Sequence, residues 1–319
     1  LVPNCIESLQ RQKMDEKHSS WESLLEQLGG EKRIHYSLDN IKSALDEAGH
    51  PQKNVQSLVI AGTNGKGTTT LLISQALKAY GYRVATYLSP HLQHLKERFL
   101  DNLVPWSEAR LEKRVYQVGN LAHKWNLSYF EALTLAFFLD SAESKPDFNI
   151  LEVGLGGRLD ATNVSDPKAV VLTNISWDHM DYLGDSLLKI LKEKMGVFRK
   201  GAPVVTAIAD SSLKSALKEE TKTLGSPTFF VEEISRSVKS KNLYGQKVEI
   251  DGNLFDLKNP SKGALENAAT AYLFLRKVFP EIPLSTLQSS FASTLNPGRL
   301  EVIQENPRVI ISGDHNEAG

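Results

Sequence analysis

The stretch from Leu58 to Tyr80 constrains the fold of this chain more than any other part of its sequence. A short apolar run at residues 58–61 enters a glycine-rich segment, and residues 71–80 then have the apolar spacing of a helix. Glycines between a strand and a helix let backbone N–H groups approach an anion closely, and the N-terminus of the helix adds a positive potential. The sequence therefore predicts a strand–loop–helix unit that binds phosphate.

The glycine-rich segment has a lysine and a threonine where a nucleotide needs them. In order, it consists of Gly62, Thr63, Asn64, Gly65, Lys66, Gly67 and Thr68. We expect Lys66 to bridge the β- and γ-phosphates of ATP and Thr68 to ligate Mg²⁺. The spacing differs from that of the ordinary phosphate loop, because two residues separate Gly62 from Gly65. The alternative is a glycine-rich turn with an exposed lysine.

Further apolar runs predict the rest of the fold. Strands are predicted at residues 83–88, 149–153, 169–173 and 203–208, with helices at residues 128–142 and 187–195. This order is typical of a mainly parallel sheet that is covered on both faces. Alternation around Asp251-Gly252 predicts a β-hairpin, followed by a helix at residues 266–278. We expect an α/β P-loop ATPase domain at residues 1–297, and at 298–319 a hinge and the first strands of a truncated, Rossmann-like second α/β domain.

Composition excludes several classes of protein. Hydrophobic residues make up 41% of the chain, which is too much for a disordered protein, and a net charge of −1 gives no general attraction to nucleic acid. One cysteine, Cys5, excludes a disulfide framework and a multi-cysteine metal site. The apolar runs are too short to span a membrane. We therefore expect a cytoplasmic protein that has neither nucleic-acid nor membrane partners, and we separately expect a monomer.

Several stretches along the chain together form a specific pattern. One is the phosphate loop from Ala61 to Thr68. The others are Leu-Ser-Pro-His-Leu (88–92), Glu-Arg (97–98), Phe-Glu-Ala-Leu-Thr (130–134), Leu-Glu-Val-Gly-Leu-Gly-Gly-Arg-Leu-Asp-Ala-Thr-Asn (151–163), Asp-His (178–179), Glu-Lys-Met-Gly (193–196), Glu-Asn-Ala (266–268) and Pro-Gly-Arg (297–299). This pattern resembles that of the folylpolyglutamate synthase/dihydrofolate synthase branch of the Mur ligase superfamily. The resemblance implies an ATP-dependent ligase that phosphorylates a carboxylate and joins it to an amine. The implied substrates are L-glutamate and either dihydropteroate or a reduced folate.

The resemblance also implies a metal site and catalytic residues. Two Mg²⁺ ions are implied, one of them near Thr68 and the other bound by Ser89, Glu152 and His179. Lys66, His179 and Lys194 are the implied catalytic residues, and Lys194 matches a family lysine that is often carbamylated. From the residues alone, Glu152 is equally a carboxylate at the end of a strand, His179 a loop histidine, and Lys194 a lysine on the surface of a helix.

Other family positions imply contacts to ATP. Asn267 matches an asparagine that is placed against adenine, and Arg299 matches a hinge arginine that reaches the ATP phosphates. Asp314 stands where the family has a related acidic segment, and either it substitutes for the missing acid at the nucleotide or the contact of the second domain to ATP is weakened. Two segments, 261–264 and 312–316, depart from the family pattern. A residue that caps a helix and an exposed arginine in a turn are the alternatives for Asn267 and Arg299.

The substrate residues implied by the resemblance lie in two segments. Phe130 would stack on a pterin ring, and Asp160 would accept paired hydrogen bonds from its amino-pyrimidine edge. His91 and Arg98 would belong to a mobile loop over the active site. The alternatives are core packing for Phe130, a turn cap for Asp160, and a solvated charged loop for His91 and Arg98.

Three other functions compete with the proposed one. The first is a superfamily ligase that acts on a different carboxylate, and the second is a degenerate nucleotide-binding protein that has no ligase activity. A simple P-loop NTPase switch is the third, although hydrolysis alone has no need for the other matched stretches.

Overall fold

The α-helices and strands that the apolar runs predict are all present in the predicted order, together with others that were not predicted. The computed structural model describes residues 20–30, 33 and 35–313. The α-helices in these residues are α1 (Trp21–Gln27), α2 (Asp39–Glu47), α3 (Lys66–Tyr80), α4 (Glu108–Lys124), α5 (Tyr129–Ser144), α6 (Met180–Leu183), α7 (Leu187–Met195), α8 (Ser211–Leu224), α9 (Lys262–Val278) and α10 (Leu284–Ser293). The strands are β1 (Gln56–Ala61), β2 (Val84–Tyr87), β3 (Phe99–Asp101), β4 (Val104–Pro105), β5 (Phe148–Glu152), β6 (Pro167–Leu172), β7 (Val204–Thr206), β8 (Thr228–Phe230), β9 (Arg236–Asn242), β10 (Gly245–Ile250), β11 (Asn253–Leu257), β12 (Glu301–Glu305) and β13 (Arg308–Ile311).

The central sheet has the strand order β4-β3-β2-β5-β1-β6-β7-β8. The strands from β2 to β8 along this order pair in parallel, which confirms the predicted parallel sheet. At one edge, β3 and β4 pair antiparallel. These two strands were not predicted, because they are short and lack a continuous apolar run. Because β1, β5 and β6 run parallel, their carboxyl ends lie next to one another at the same end of the sheet.

Helices cover both faces of this sheet, as predicted. In β1, Val59 and Ala61 face a core shared with α4, α5 and α7, while Leu58 and Ile60 face a core shared with α3, α9 and α10. Successive side chains of a strand point to opposite faces, so an entirely apolar strand needs apolar cover on both sides.

A second, smaller sheet packs beside α9 and α10. Strands β10 and β11 form the predicted hairpin around Asp251-Gly252, and both turn residues have positive φ angles, of 50° and 75°. Strand β9, which was not predicted, adds to the other edge of β10. The chain then passes through α10 to a separate hairpin of β12 and β13. That residues 298–319 open a second domain remains a prediction.

No helix within the described ranges is long and apolar enough to cross a membrane.

Helix α10 depends on one buried aromatic side chain. Phe291 is fully buried, and its ring centroid lies 5.3 Å from that of Phe255 in β11. We expect Phe291→Ala to lower the free energy of unfolding by about 3–5 kcal/mol, because the cavity it leaves cannot close. Leu295→Ala, at an exposed position shortly after the helix, should change it by about 0.5 kcal/mol or less. Denaturant unfolding of both variants tests this, and equal losses would contradict it.

Candidate active site

The phosphate loop joins the end of β1 to the start of α3, as predicted. Gly62 and Gly65 have φ angles of 137° and 84°. A Cβ atom on Gly62 would lie 1.9 Å from Thr173 Oγ1, and one on Gly65 would lie 2.0 Å from Asn267 Oδ1. Both positions therefore require glycine for two reasons, the backbone conformation and the space that the neighbouring side chains leave.

Residues that follow β6 hold the loop in place. The Thr63 N–H donates to the carbonyl oxygen of Asn174 at 2.9 Å, and the Asn64 N–H donates to Asn174 Oδ1 at 3.0 Å. Thr173 Oγ1 donates to the Asn64 carbonyl oxygen at 2.7 Å. Thr173 and Asn174 were not among the predicted site residues. Their position directly after a buried strand, at the edge where open α/β sheets place their sites, is the signal that would have found them.

The first turn of α3 faces the loop with its N–H groups uncapped by any side chain. Gly65 is the N-cap residue and has no side chain to accept a hydrogen bond. Such a helix start is an anion site, because the free N–H groups and the helix dipole both favour negative charge. Lys66 lies at the same point, and its Nζ donates to the carbonyl oxygens of Gly62 at 3.2 Å and Thr63 at 3.0 Å.

Lys194 reaches the same loop from the end of α7. Its Nζ donates to the Gly62 carbonyl oxygen at 2.8 Å, and the residue is 2% exposed, so the reading as a helix-surface lysine is wrong. Burial, followed by the charge of Lys66, lowers the pKa of Lys194 to about 7. At neutral pH a large fraction of this amine is therefore uncharged and nucleophilic.

Glu152 ends β5 beside the start of α3. Its two carboxylate oxygens lie 3.5 Å from where a Cβ atom on Gly67 would stand, and the Ser89 N–H donates to Oε2 at 2.9 Å. Burial raises the pKa of Glu152 to about 7, against the opposing effect of the positive charges of Lys66 and Arg299. This carboxylate is thus costly to ionise in the protein alone, and a cation beside it would offset that cost.

The four predicted metal ligands differ in how the structure places them. Glu152 and Ser89 are in contact, and Thr68 lies in the first turn of α3, next to Gly67. Ser89 and His179 line the same cavity, and His179 is exposed. Among the described residues, no cluster of three His, Cys, Asp or Glu side chains suits a metal. Together these residues offer one carboxylate, two hydroxyls and an imidazole, which are groups that fit a hard, partly hydrated cation. The metal site remains a prediction.

A cavity of about 520 Å³ opens beside Ser89 and is bordered by the segment that follows β5. Phe130 and Asp160 both line it. The Phe130 ring stacks on Tyr87, with 5.7 Å between the ring centroids, so it packs against the core and also borders the cavity. A Cβ atom on Gly154 would lie 2.8 Å from Phe130 Cζ and 3.2 Å from Asp160 Oδ2. The structure therefore brings these two predicted substrate residues together.

Asp160 is a capping residue as well as a wall of the cavity. Its Oδ1 accepts from the Thr162 N–H at 3.0 Å and from the Thr162 hydroxyl, while Oδ2 accepts from the Leu155 N–H at 2.9 Å. Burial raises the pKa of Asp160 against these hydrogen bonds. The structure therefore supports the reading of Asp160 as a turn cap, and its role in binding a substrate remains a prediction.

Arg98, which lines the cavity, forms one unit with His91. Arg98 Nε donates to His91 Nδ1 at 2.9 Å, and its guanidinium lies 5.9 Å from the centre of the Tyr129 ring. Arg98 is buried and lines the cavity, so the reading as a solvated charge is wrong for this residue. The loop between them is held by Glu97, whose carboxylate accepts from three backbone N–H groups.

His35 and Glu131 also line the cavity and were missed from the sequence. Glu131 Oε2 accepts from the Ser128 N–H at 2.8 Å and lies 2.7 Å from His35 Nδ1. The Ser-x-x-Glu spacing at 128–131 is that of a capping box and was available as a signal. The contact to His35 was not, because 96 residues separate the two side chains.

The predicted ATP contacts lie beside the phosphate loop or outside the described residues. Asn267 packs over Gly65, and it is not at the start of its helix: α9 begins at Lys262 and is capped by Ser261. The reading of Asn267 as a helix cap is therefore wrong. Arg299 lies near enough to Glu152 to influence its pKa. Asp314 falls outside the described residues.

Comparisons with known proteins agree with this geometry. The Mur ligase middle domain family matches residues 60–271, from the end of β1 into α9. A dihydrofolate synthase/folylpolyglutamate synthase of Bacillus subtilis is 32% identical over 303 residues, which cover 88% of this chain and 70% of that protein. The chain belongs to the dihydrofolate synthase/folylpolyglutamate synthase family. The Escherichia coli enzyme of the same name is also 32% identical and covers 93% of this chain and 69% of its own length.

Solved structures of the family have the same fold. Mycobacterium tuberculosis folylpolyglutamate synthase complexed with ADP superposes with a TM-score of 0.86 at 28% identity, covering 94% of this chain and 71% of that one. An FPGS–AMPPCP–folate complex superposes with a TM-score of 0.82 at 27% identity, covering 94% of this chain and 78% of that one. Family members thus bind adenine nucleotides and a folate.

The raised pKa of Glu152 predicts a pH-dependent stability. An unfolded chain ionises this group near its ordinary value of 4.5, and the folded protein does so near 7. The folded state therefore binds more protons between these values, so Glu152 costs stability as pH rises through this window. Without metal or nucleotide at pH 8, the free energy of unfolding of Glu152→Gln should be about 3 kcal/mol higher than that of the wild type.

The difference should disappear below pH 4.5, where the Glu152 carboxyl is protonated in both the folded and the unfolded protein. Glu233→Gln, at an exposed position, is the matched control and should follow the wild type throughout. Denaturant unfolding across this pH range tests the prediction. Parallel pH profiles for the wild type and Glu152→Gln would contradict it.

Proposed function

We propose that this protein is an ATP-dependent amide ligase that adds L-glutamate to dihydropteroate or to a reduced folate. One observation carries the proposal: a phosphate loop adjoins a cavity bordered by Phe130 and Asp160. Ser89 connects the two, because it lines the cavity and its N–H donates to Glu152, which lies against the start of α3. The names of the similar proteins support the same activity.

The reaction takes two steps that preserve atoms and charge. A carboxylate oxygen of the folate substrate attacks the γ-phosphorus of ATP, the bond to the β–γ bridging oxygen breaks, and ADP leaves. The amine of glutamate then attacks the acyl carbon, inorganic phosphate leaves, and the nitrogen loses a proton. Lys66 and the N–H groups of the first turn of α3 offset the repulsion between the two anions in the first step. We propose that Asn267 and Arg299 complete the nucleotide site.

The proposal includes Mg²⁺. Thr68 would hold the ion that accompanies ATP, and Ser89, Glu152 and His179 would hold a second. The raised pKa of Glu152 supports this assignment, because a buried carboxylate gains most from a neighbouring cation. When bound, the ions supply positive charge to the transferring phosphoryl group.

The substrate side of the proposal rests on the walls of the cavity. Phe130 offers a ring face for a pterin, and Asp160 a buried carboxylate for its amino-pyrimidine edge. Arg98 supplies positive charge and donors at the wall of the cavity, which suits the anionic part of the substrate, and His91 holds Arg98 by accepting from its Nε. We also propose that the protein is cytoplasmic and that it is a monomer. Sedimentation would test the oligomeric state.

The first test is phosphate release from Mg-ATP, with dihydropteroate and glutamate added singly and together. Release should need both substrates and should vanish in Lys66→Ala. Phe130→Leu should raise the KM for dihydropteroate by about tenfold, since a lost stacking contact costs about 1 kcal/mol or more, and leave the KM for ATP unchanged. The same assay with tetrahydrofolate in place of dihydropteroate tests the second substrate.

The matched control is Phe138→Leu, the same change at a buried position of the same helix. It should leave both KM values unchanged even if it lowers stability. Equal KM values for Phe130→Leu and the wild type would remove the pterin site from this cavity. ATP binding with no stimulation by any substrate would instead identify a nucleotide-binding homologue without ligase activity.

A carbamate on Lys194 is a second, separable part of the proposal. Carbon dioxide reacts with a neutral amine, and the lowered pKa of Lys194 provides one at neutral pH. In ¹³C-bicarbonate buffer, the wild type should give one carbamate carbon signal by NMR. The signal should persist in Lys192→Met, at an exposed position on the same helix, and vanish in Lys194→Met. A wild-type spectrum with no such signal would count against the carbamate.

A further inference from the structure

The segment that joins α10 to β12 contacts the phosphate loop directly. Asn296 Nδ2 donates to Thr68 Oγ1 at 2.8 Å, across 228 residues of sequence. Both side chains are half-buried. Thr68 is the third residue of α3, so its hydroxyl lies in the helix turn whose N–H groups form the anion site.

We propose that Asn296 is a positioning residue, which orients the Thr68 hydroxyl for a nucleotide-bound Mg²⁺ and thereby links this segment to occupancy of the nucleotide site. The inference rests on the proposed function, because it assumes that Mg-ATP is the ligand of the loop. Asn296 lies outside the stretches that carry the family resemblance.

The chemistry of a hydroxyl group supports the assignment. A threonine hydroxyl has one hydrogen and two lone pairs. The Asn296 N–H occupies one lone pair and so fixes the rotation of the hydroxyl. The second lone pair is then left for a hard cation, and the hydrogen for a phosphate oxygen. Without Asn296, the hydroxyl has to give up rotational freedom when the cation binds.

Two other contacts connect this segment to β12 and to the loop between β2 and β3. The Gly298 N–H donates to Glu301 Oε2 at 2.8 Å, which ties the segment to β12. A Cβ atom on Gly298 would lie 3.0 Å from Leu92 Cδ1, in the loop that also carries Ser89 and Arg98. The hydrogen bond to Thr68 therefore joins the start of α3 to a segment that contacts both β12 and the loop carrying Ser89 and Arg98.

The test separates metal-dependent from metal-independent binding. Calorimetric titration with AMPPCP, in Mg²⁺ and in EDTA, compares the wild type with Asn296→Leu, a replacement of similar size that cannot donate. With Mg²⁺, the Kd should rise about fivefold, which corresponds to the loss of one neutral hydrogen bond. In EDTA, the Kd should change by about twofold or less, since the loop N–H groups and Lys66 do not depend on Asn296.

Two further variants show whether Asn296 acts through Thr68. Thr68→Val should reproduce the metal-dependent loss, and the double variant should bind no more weakly than Thr68→Val alone. Asn259→Ala is the matched control, because Asn259 Nδ2 donates to the Arg299 carbonyl oxygen at 3.0 Å in the same segment without touching Thr68. It should leave the ratio of the Kd values in EDTA and Mg²⁺ unchanged.

Hydrogen exchange gives a readout that is independent of affinity. Saturating AMPPCP and Mg²⁺ should slow exchange of the Gly298 N–H in the wild type and leave it unchanged in Asn296→Leu. Equal losses of affinity with and without Mg²⁺, or full additivity with Thr68→Val, would overturn the inference while leaving the ligase intact. A wild type that does not bind AMPPCP at all would overturn the proposed function and this inference together.

Discussion

Two lysine side chains donate to the same oxygen atom, the Gly62 carbonyl, and the rest of the site depends on this contact. Lys66 reaches it from α3 and Lys194 from α7, at 3.2 and 2.8 Å. Two ammonium groups this close repel each other, and the repulsion adds to burial in lowering the pKa of Lys194. The arrangement is most favourable when an anion lies beside the loop or when Lys194 carries no positive charge. Phosphate binding and carbamylation are two ways to meet that condition.

The opposite problem exists at Glu152, a buried carboxylate that is costly to ionise. The end of one strand carries two parts of the site. Strand β5 presents Glu152 to the start of α3, and two residues later Gly154 leaves the space that Phe130 and Asp160 occupy. The same backbone therefore carries a residue of the proposed cation site and a wall of the cavity. Under the proposed function, a carboxylate bound in the cavity would lie next to a phosphate donor at the loop, which is what an acyl-phosphate reaction requires.

The sequence predicted those parts of the fold and site that depend on local pattern. The parallel sheet, the hairpin at Asp251-Gly252 and the strand–loop–helix unit follow from apolar periodicity and glycine placement. The roles proposed for Lys194, Phe130 and Asp160 came from the resemblance, and the structure adds that Lys194 is buried against the loop. Contacts that cross the chain were not predictable from local pattern. The bonds from Asn296 to Thr68 and from Asn174 to Asn64, and the contact of His35 with Glu131, join distant segments that only the folded sheet brings together.

The fate of one oxygen atom tests the central claim most directly. Dihydropteroate labelled with ¹⁸O in its carboxylate is incubated with the protein, Mg-ATP and glutamate, and the released phosphate is analysed by mass spectrometry. If the carboxylate attacks ATP, one ¹⁸O atom passes into inorganic phosphate for each amide formed. Unlabelled phosphate, released at the same rate with or without glutamate, would mean that water attacks ATP at this loop and that the protein is not a ligase of this kind.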